Sequence, residues 1–235
     1  MKRVGHKGAA AVAPGNTRES FEAALAMGVD MLEFDVLRLD DGRIVLAHDQ
    51  KAAALQAPLS LDEGLDLLAG EAYAAVELDV DLKQPGYERE VVAALRARGL
   101  VERSLVSSSY RGSLERLGAL EPGLRRGWSL PRASRDYAAG ALLGAPARGF
   151  LLGMRAWLPR AAARALRERR CEALMAHAGL VGPRLAAAVH AEGGLLYVWT
   201  VDDANRISAL MALGVDGIIT NDPRLFDSAF GPSAA

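Results

Sequence analysis

Apolar and β-branched residues gather into short runs along the chain. Each run leads into an Ala-, Leu- and Arg-rich segment whose apolar positions return every three or four residues. In order the runs are RVGHKG, MLEFDVL, YAAVELDVDLK, RSLVSSS, GLRRGWSL, CEALMAH, LLYVWTV and VDGIIT. The segments between them carry helix signals. In NTRESFEAALAMG, Asn16 or Thr17 can cap and Gly28 can terminate. SLDEGLDLLAG, GYEREVVAALRARG, RGSLERLGAL, GPRLAAAVHAEGG and DDANRISALMALG repeat the pattern, and WLPRAAARALRERR adds a helix with Pro159 in or near its first turn. GRIVLAHD reads as an extended continuation of the second run across an Asp41-Gly42 turn.

Eight strand-then-helix units predict an α/β fold of the closed (β/α)8 type, a TIM barrel. No Ser/Gly linker or low-complexity tract interrupts residues 1–235, so one domain is expected. An open doubly wound sheet is the alternative. Neither G-x-G-x-x-G nor G-x-x-x-x-G-K-[ST] follows the first run, which removes the usual phosphate loop of that alternative.

Composition then excludes several classes of function. Of 235 residues 51% are hydrophobic and 24% charged, with a formal net charge of -1, so no basic excess exists to grip a nucleic acid. The N-terminal MKRVGHKGAA lacks the apolar core of a signal peptide. The most apolar stretch, ALLGAPARGFLLGMRAWL, is broken by Pro146, Arg148 and Arg155. A cytoplasmic protein without stable membrane insertion is the expectation. The single cysteine, Cys171, reads as an inert core thiol.

Chemistry concentrates in MLEFDVLRLDDGRIVLAHD. Glu33 and Asp35 stand two residues apart on a strand, so their side chains share one side, with Cα atoms roughly 6.6 Å apart. Leu32, Phe34 and Val36 occupy the other side and suit packing under helices. Two carboxylates without compensation would suffer desolvation and mutual repulsion, so the alternatives are an outer salt-bridged pair or a site that holds a cation. The third run repeats the alternation with Glu77, Asp79, Asp81 and Lys83, of which Asp81 and Lys83 lie nearest the carboxyl end, where barrel active sites form. Glu33, Asp35 and one acid of that run can supply hard oxygen ligands for Mg²⁺ or Ca²⁺. His6, beside Lys7, ends the first run, and His48, beside Asp49, ends the extended segment. Both are placed on the acidic rim. His177 is a weaker rim candidate and His190 a helix-surface residue. A divalent cation, two imidazoles and two ammonium groups, Lys7 and Lys83, match the needs of phosphodiester cleavage: charge neutralisation, a base and an acid. Ser107, Ser108 and Ser109 lack the G-x-S-x-G elbow of a serine nucleophile.

These residues also resemble a known family, the glycerophosphodiester phosphodiesterases, which are metal-dependent TIM-barrel hydrolases. HKGAAAVAPGNTRESFEAALAMG is similar to the family's H-R-G-A, P-E-N-T, S-F pattern, and EFDV, DG and AHD to its E-x-D-V, DG and H-D signature. DLKQPGYEREV is similar to its E-I-K strand, and VWTVDDANRISALMALGVDGIITNDP to its closing segment. The resemblance runs from His6 to Pro223, weakest over Pro131 to Arg170. It implies hydrolysis of a small-molecule glycerophosphodiester to an alcohol and sn-glycerol 3-phosphate, with one divalent cation. His6 and His48 would be the acid/base pair, Glu33, Asp35 and Asp81 the metal ligands, and Lys7 and Lys83 the phosphate contacts. Trp199 would line the pocket, unless it is a core aromatic, with Trp128 beside it as a second apolar wall. Asn16 would bind substrate unless it caps the first helix. A lyase that leaves a cyclic phosphate and a non-catalytic phosphate-ester-binding barrel are the competing readings. Three features depart from the family pattern: Lys7 stands for Arg, Gly15 for Glu and Asp81 for Glu. The insertion between the second and third strands is short, fewer than thirty residues from His48 to Glu77.

Overall fold

The computed structural model describes residues 1–132 and 145–230. The strands are β1 (Lys2–His6), β2 (Met31–Arg38), β3 (Ile44–Leu46), β4 (Glu77–Leu82), β5 (Ser104–Ser108), β6 (Arg125–Leu130), β7 (Ala173–His177), β8 (Leu195–Trp199) and β9 (Gly217–Thr220). All but β3 are parallel, in the order β1-β9-β8-β7-β6-β5-β4-β2, and the β1–β2 pairing closes the cylinder. The eight barrel strands are the eight apolar runs of the sequence.

The helices are α1 (Arg18–Ala26), α2 (Gln50–Leu55), α3 (Leu61–Leu68), α4 (Glu88–Ala97), α5 (Arg111–Leu120), α6 (Ala145–Arg167), α7 (Pro183–His190), α8 (Ala204–Ala212) and α9 (Arg224–Phe230). Thr17, not Asn16, caps α1, forming a reciprocal box with Ser20. Helix α6 begins well before Pro159, which lies inside it rather than in its first turn. An interior proline removes one backbone hydrogen bond, and the long helix tolerates that loss. No helix among the described residues is long and apolar enough to cross a membrane.

Strand alternation divides the core into two layers. Leu32, Phe34 and Val36 of β2 and Leu78, Val80 and Leu82 of β4 face outward into the apolar shell under the helices. Burying such a side chain contributes about 1.5–3 kcal/mol, so these two strands are held from the outside. Inside the cylinder a smaller cluster of Val4, Met31, Leu105, Ala173, Met175, Tyr197 and Ile219 fills the middle. Beneath it, at the amino ends of the strands, Glu77 pairs with Lys2 and lies 2.8 Å from Arg125. Above it, at the carboxyl ends, the even spacing that puts Met31 inside also puts Glu33 and Asp35 inside, at 4% and 0% exposure.

Two directions differ from the sequence expectation. The segment ending in His48 does not extend β2. After the turn at Gly42 (φ 89°) it returns as β3, antiparallel to β2, so His48 is not at the carboxyl end of a barrel strand. Trp128 does not line the mouth. Its neighbour Gly127 occupies the inward position, where an added Cβ would come within 2.9 Å of Leu105 and Met175, so Trp128 points outward, into the helical shell beside Arg111 and Trp157.

Candidate active site

The mouth of the barrel is built from the ends of β1, β2 and β4. Register places His6 opposite Glu33, and Asp35 opposite Asp81. Immediately after β1 the chain makes a tight loop between Lys7 and Asn16, both left-handed (φ 53° and 63°). Asn tolerates that conformation, whereas Lys adopts it only where surrounding bonds impose it. Here they do: the Lys7 amide donates to Glu33 Oε2 at 2.8 Å, and the Lys7 carbonyl accepts from the Asn16 amide at 3.0 Å and from Ser20 Oγ at 2.8 Å. A Cβ on Gly15 would stand 2.8 Å from Cβ and 3.2 Å from Cδ of Lys7, so the lysine stem runs through space that a larger residue would fill. Its ammonium then lies 3.8 Å from Asp35 Oδ2.

Asp35 is the most heavily braced of the acids. Asn16 Nδ2 donates to its Oδ2 at 2.8 Å, its own amide donates to Asn16 Oδ1 at 3.0 Å, and Lys83 Nζ is 2.5 Å from its Oδ1. Both ends of the Asn16 amide are thus engaged by Asp35. Lys83 also reaches Asp81 Oδ2 at 2.5 Å. One oxygen from each of Glu33, Asp35 and Asp81 lies within 4.8 Å of the others.

Charge at this mouth is unevenly compensated. Burial raises the Asp35 pKa, but Lys83 and then Lys7 outweigh that and hold it below the usual carboxylate range. Burial, joined by the negative charge of Asp35, lifts Glu33 well above its ordinary value. Asp79, one step deeper and 1% exposed, is pushed up to about 8 by burial and by Asp81, although Ser107 works the other way. Lys83 is kept charged by Asp35 and Asp81 against the cost of its burial. Three carboxylates converging on one point, with Glu33 short of positive charge, make a hard-oxygen donor set that a divalent cation fits.

His6 Nδ1 lies 2.6 Å from Asn221 Oδ1. Asn221 Nδ2 donates to Asp202 Oδ2 at 2.6 Å, which fixes the amide so that its oxygen faces the imidazole. Nδ1 of His6 therefore carries the proton, and in the neutral ring Nε2 presents its lone pair toward the acids, 3.8 Å from Glu33 Oε2. Burial, and then the charge of Lys7, lower this imidazole to about 4. His48 is different. Its side chain is 50% exposed, its Nδ1 lies 3.0 Å from Asp49 Oδ2, and its charge is among those that lower Asp35. It stands at the edge of the cluster rather than within it.

Across the cylinder from β4, Trp199 of β8 faces inward, its Nε1 donating to the Met175 carbonyl at 3.0 Å. His177 packs edge-on against it with ring centroids 5.3 Å apart, and its Nδ1 accepts from the Gly179 amide. His190 lies on the surface, 2.9 Å from Asp216.

The family model for glycerophosphoryl diester phosphodiesterases matches residues 6–57 and 132–225, spans that contain His6, the β2–β3 hairpin and Asn221. The chain belongs to this family. It is accordingly a phosphodiesterase. A glycerophosphodiester phosphodiesterase of Caldanaerobacter subterraneus subsp. tengcongensis is 26% identical over 94% of this chain and 93% of its own length. One from Bacillus altitudinis is 25% identical over 94% and 95%. Among solved structures, a phosphodiesterase of Oleispira antarctica in complex with the product sn-glycerol-3-phosphate superimposes with a TM-score of 0.71 at 21% identity, over 98% of this chain and 96% of that one. A glycerophosphodiester phosphodiesterase of Agrobacterium tumefaciens gives 0.70 at 20%, over 96% and 99%. Both share the fold of this phosphodiesterase.

Two residues of the site carry no role in the sequence pattern. Asn221 and Asp202 lie in the NDP and VDD stretches of the closing segment, and only the closure of β9 against β1 brings them to His6. The signal available is a polar residue two positions after the inward-facing Ile219, continuing the alternation of β9 one step past its end.

Proposed function

We propose that the barrel mouth hydrolyses glycerophosphodiesters to an alcohol and sn-glycerol 3-phosphate, with Glu33, Asp35 and Asp81 as ligands of one divalent cation, Mg²⁺ or Ca²⁺. The observation that carries this reading is the convergence of those three carboxylates beside an imidazole whose basic nitrogen faces them. Bound there, the cation would supply Lewis-acid polarisation of the phosphoryl group and charge neutralisation.

The protein's own groups perform the proton transfers. His6, neutral and held by Asn221 through Nδ1, takes a proton at Nε2 from the attacking oxygen as that oxygen bonds to phosphorus. His48, at the solvent edge of the mouth, gives a proton to the departing alkoxide as its bond to phosphorus breaks. Lys7 and Lys83 place ammonium charge where the phosphate oxygens gather negative charge. Asn16 holds Asp35, and through the loop holds Lys7, at the edge of the site where the phosphate would lie. Trp199 forms an apolar wall across from the acids, suited to the carbon skeleton of the substrate.

The test is release of glycerol 3-phosphate from glycerophosphocholine by chelator-stripped protein with single metals added back, followed by phosphorus NMR. Metal-restored turnover giving a phosphomonoester is the expected result. An accumulating cyclic diester would replace hydrolysis with the lyase outcome, and turnover indifferent to chelation would remove the cation.

A further inference from the structure

A second concave feature lies outside the barrel, between α5 and α6. It has a volume of about 380 Å³ and is lined by Arg111, Trp157, Arg160, Arg164, Glu168 and Arg170. That volume lies in the range of small-molecule sites. Trp157, Arg160, Arg164 and Glu168 recur at spacings of three and four residues, so α6 and the residue just past it present them as one stripe. Arg111 and Arg170 close the cleft from the start of α5 and from the segment before β7.

Its electrostatics are the reverse of the mouth's. Four guanidiniums face one lining carboxylate. Glu168 bridges Arg164 and Arg170, at 2.7 Å from each, and Arg170 also lies 3.3 Å from Glu115. Among the described residues neither Arg160 nor Arg111 has a carboxylate within ion-pair distance, and Arg111 lies over the face of Trp128, 4.6 Å from its ring centre. Each guanidinium carries five donors, so a single bridging carboxylate leaves most of them to solvent or to a ligand. Trp157 stands edge-on to Trp128 with centroids 6.1 Å apart, which fixes its ring, and it is 48% exposed, an unusual position for so large an apolar group beside four cations.

We propose that this cleft binds an organic anion that joins phosphate groups to a flat apolar moiety, the chemistry of a nucleoside phosphate. The guanidinium forks match phosphate oxygens bidentately, and the fixed indole offers a surface for a planar ring. The barrel mouth, lined by Glu33, Asp35 and Asp81 with Lys7 and Lys83, presents no such array of guanidiniums. The two sites therefore differ in the chemistry they offer an anion.

The experiment uses the full chain in excess chelator, titrated with ADP, adenosine and pyrophosphate by calorimetry and tryptophan fluorescence. ADP is expected to bind one per chain and more tightly than either adenosine or pyrophosphate. Arg160→Glu should weaken ADP at least about tenfold, the loss of one charge-assisted contact, and Trp157→Ala should bring ADP down to the level of pyrophosphate. Both variants should keep wild-type phosphodiesterase turnover once metal is restored. Arg160→Gln, which cannot introduce repulsion, serves if the charge reversal disturbs folding, and should weaken ADP in the same direction. Failure of ADP to bind the wild-type chain, or binding unchanged by both Arg160 variants, overturns the proposal. ADP no tighter than pyrophosphate overturns the aromatic half of it and with it the ligand class.

Discussion

The two ends of the barrel interior are built from the same strands and the same kinds of residue, yet only one is balanced. At the floor, Glu77 of β4 meets two cations, Lys2 and Arg125, and its pKa is lowered because those bonds outweigh burial. At the mouth, four acidic side chains from β2 and β4 share Lys83 and Lys7, and burial with the neighbouring acids raises Glu33 and Asp79 while the lysines lower Asp35. Two residues of separation along one strand change a structural ion pair into a site under electrostatic tension. The lesson is that acidic alternation on a barrel strand marks function only where the counter-charges run short.

Substitutions at the two ends should therefore trade effects. Glu33→Gln keeps the acceptor for the Lys7 amide but removes a proposed metal ligand and a carboxylate whose ionised form burial and Asp35 disfavour. Turnover should fall on the order of 10³-fold, the several kcal/mol attributed to metal assistance, with a melting temperature equal to or above wild type by calorimetry. A destabilised Glu33→Gln would mean that the mouth is balanced after all. His6→Gln should cost on the order of 10²-fold or more in kcat, as removal of a general base does, with circular dichroism unchanged.

Glu77→Gln should do the opposite. It leaves Lys2 and Arg125 without an anionic partner, at a cost of about 1–3 kcal/mol, or about 2–4 °C in melting temperature per kcal/mol for a chain of this size, while kcat stays at wild type. Loss of activity with no loss of stability would place the floor within the functional site. The same residue gives a pH signature. Because its folded pKa lies below the ordinary 4.5, its stabilisation is present above the unfolded value and is lost as pH falls through the folded one, so the stability gap between wild type and Glu77→Gln should close in acid.

The smallest effect expected is in the pH profile. His6 must be neutral to act as base, and burial and Lys7 displace it from 6.5 to about 4, so the acid limb of kcat/KM should fall below pH 6. A limb centred near 6.5 would show that His6 is hydrated and uncoupled from Lys7.

Most of this architecture is legible in the sequence because the barrel writes its two layers as alternation. Glu33 and Asp35 against Leu32, Phe34 and Val36, and Asp81 against Leu82, declare their sides by spacing alone. Where one inward position carries no side chain the parity is harder to see: Gly127 hides which way Trp128 points, and the sequence reading assigns that tryptophan to the wrong face. Local signals at loop ends are ambiguous for a different reason. Asn16 and Thr17 are both good caps, and only the long-range demand of Asp35 for Asn16 decides between them. The Asn221–Asp202 support of His6 depends on ring closure, which no local pattern encodes. Helix α2 leaves no trace in the pattern because none of its residues is buried, so it has no apolar stripe to see.

The hairpin that carries His48 separates the two imidazoles mechanically as well as electrostatically. One is welded into a strand whose neighbours on both sides are barrel wall. The other rides on a three-residue return strand followed by a helix with no buried anchor. On the proposed chemistry, the half of the reaction that recognises the departing alcohol sits on the peripheral flap, free to be reshaped for new head groups while the attacking half stays fixed.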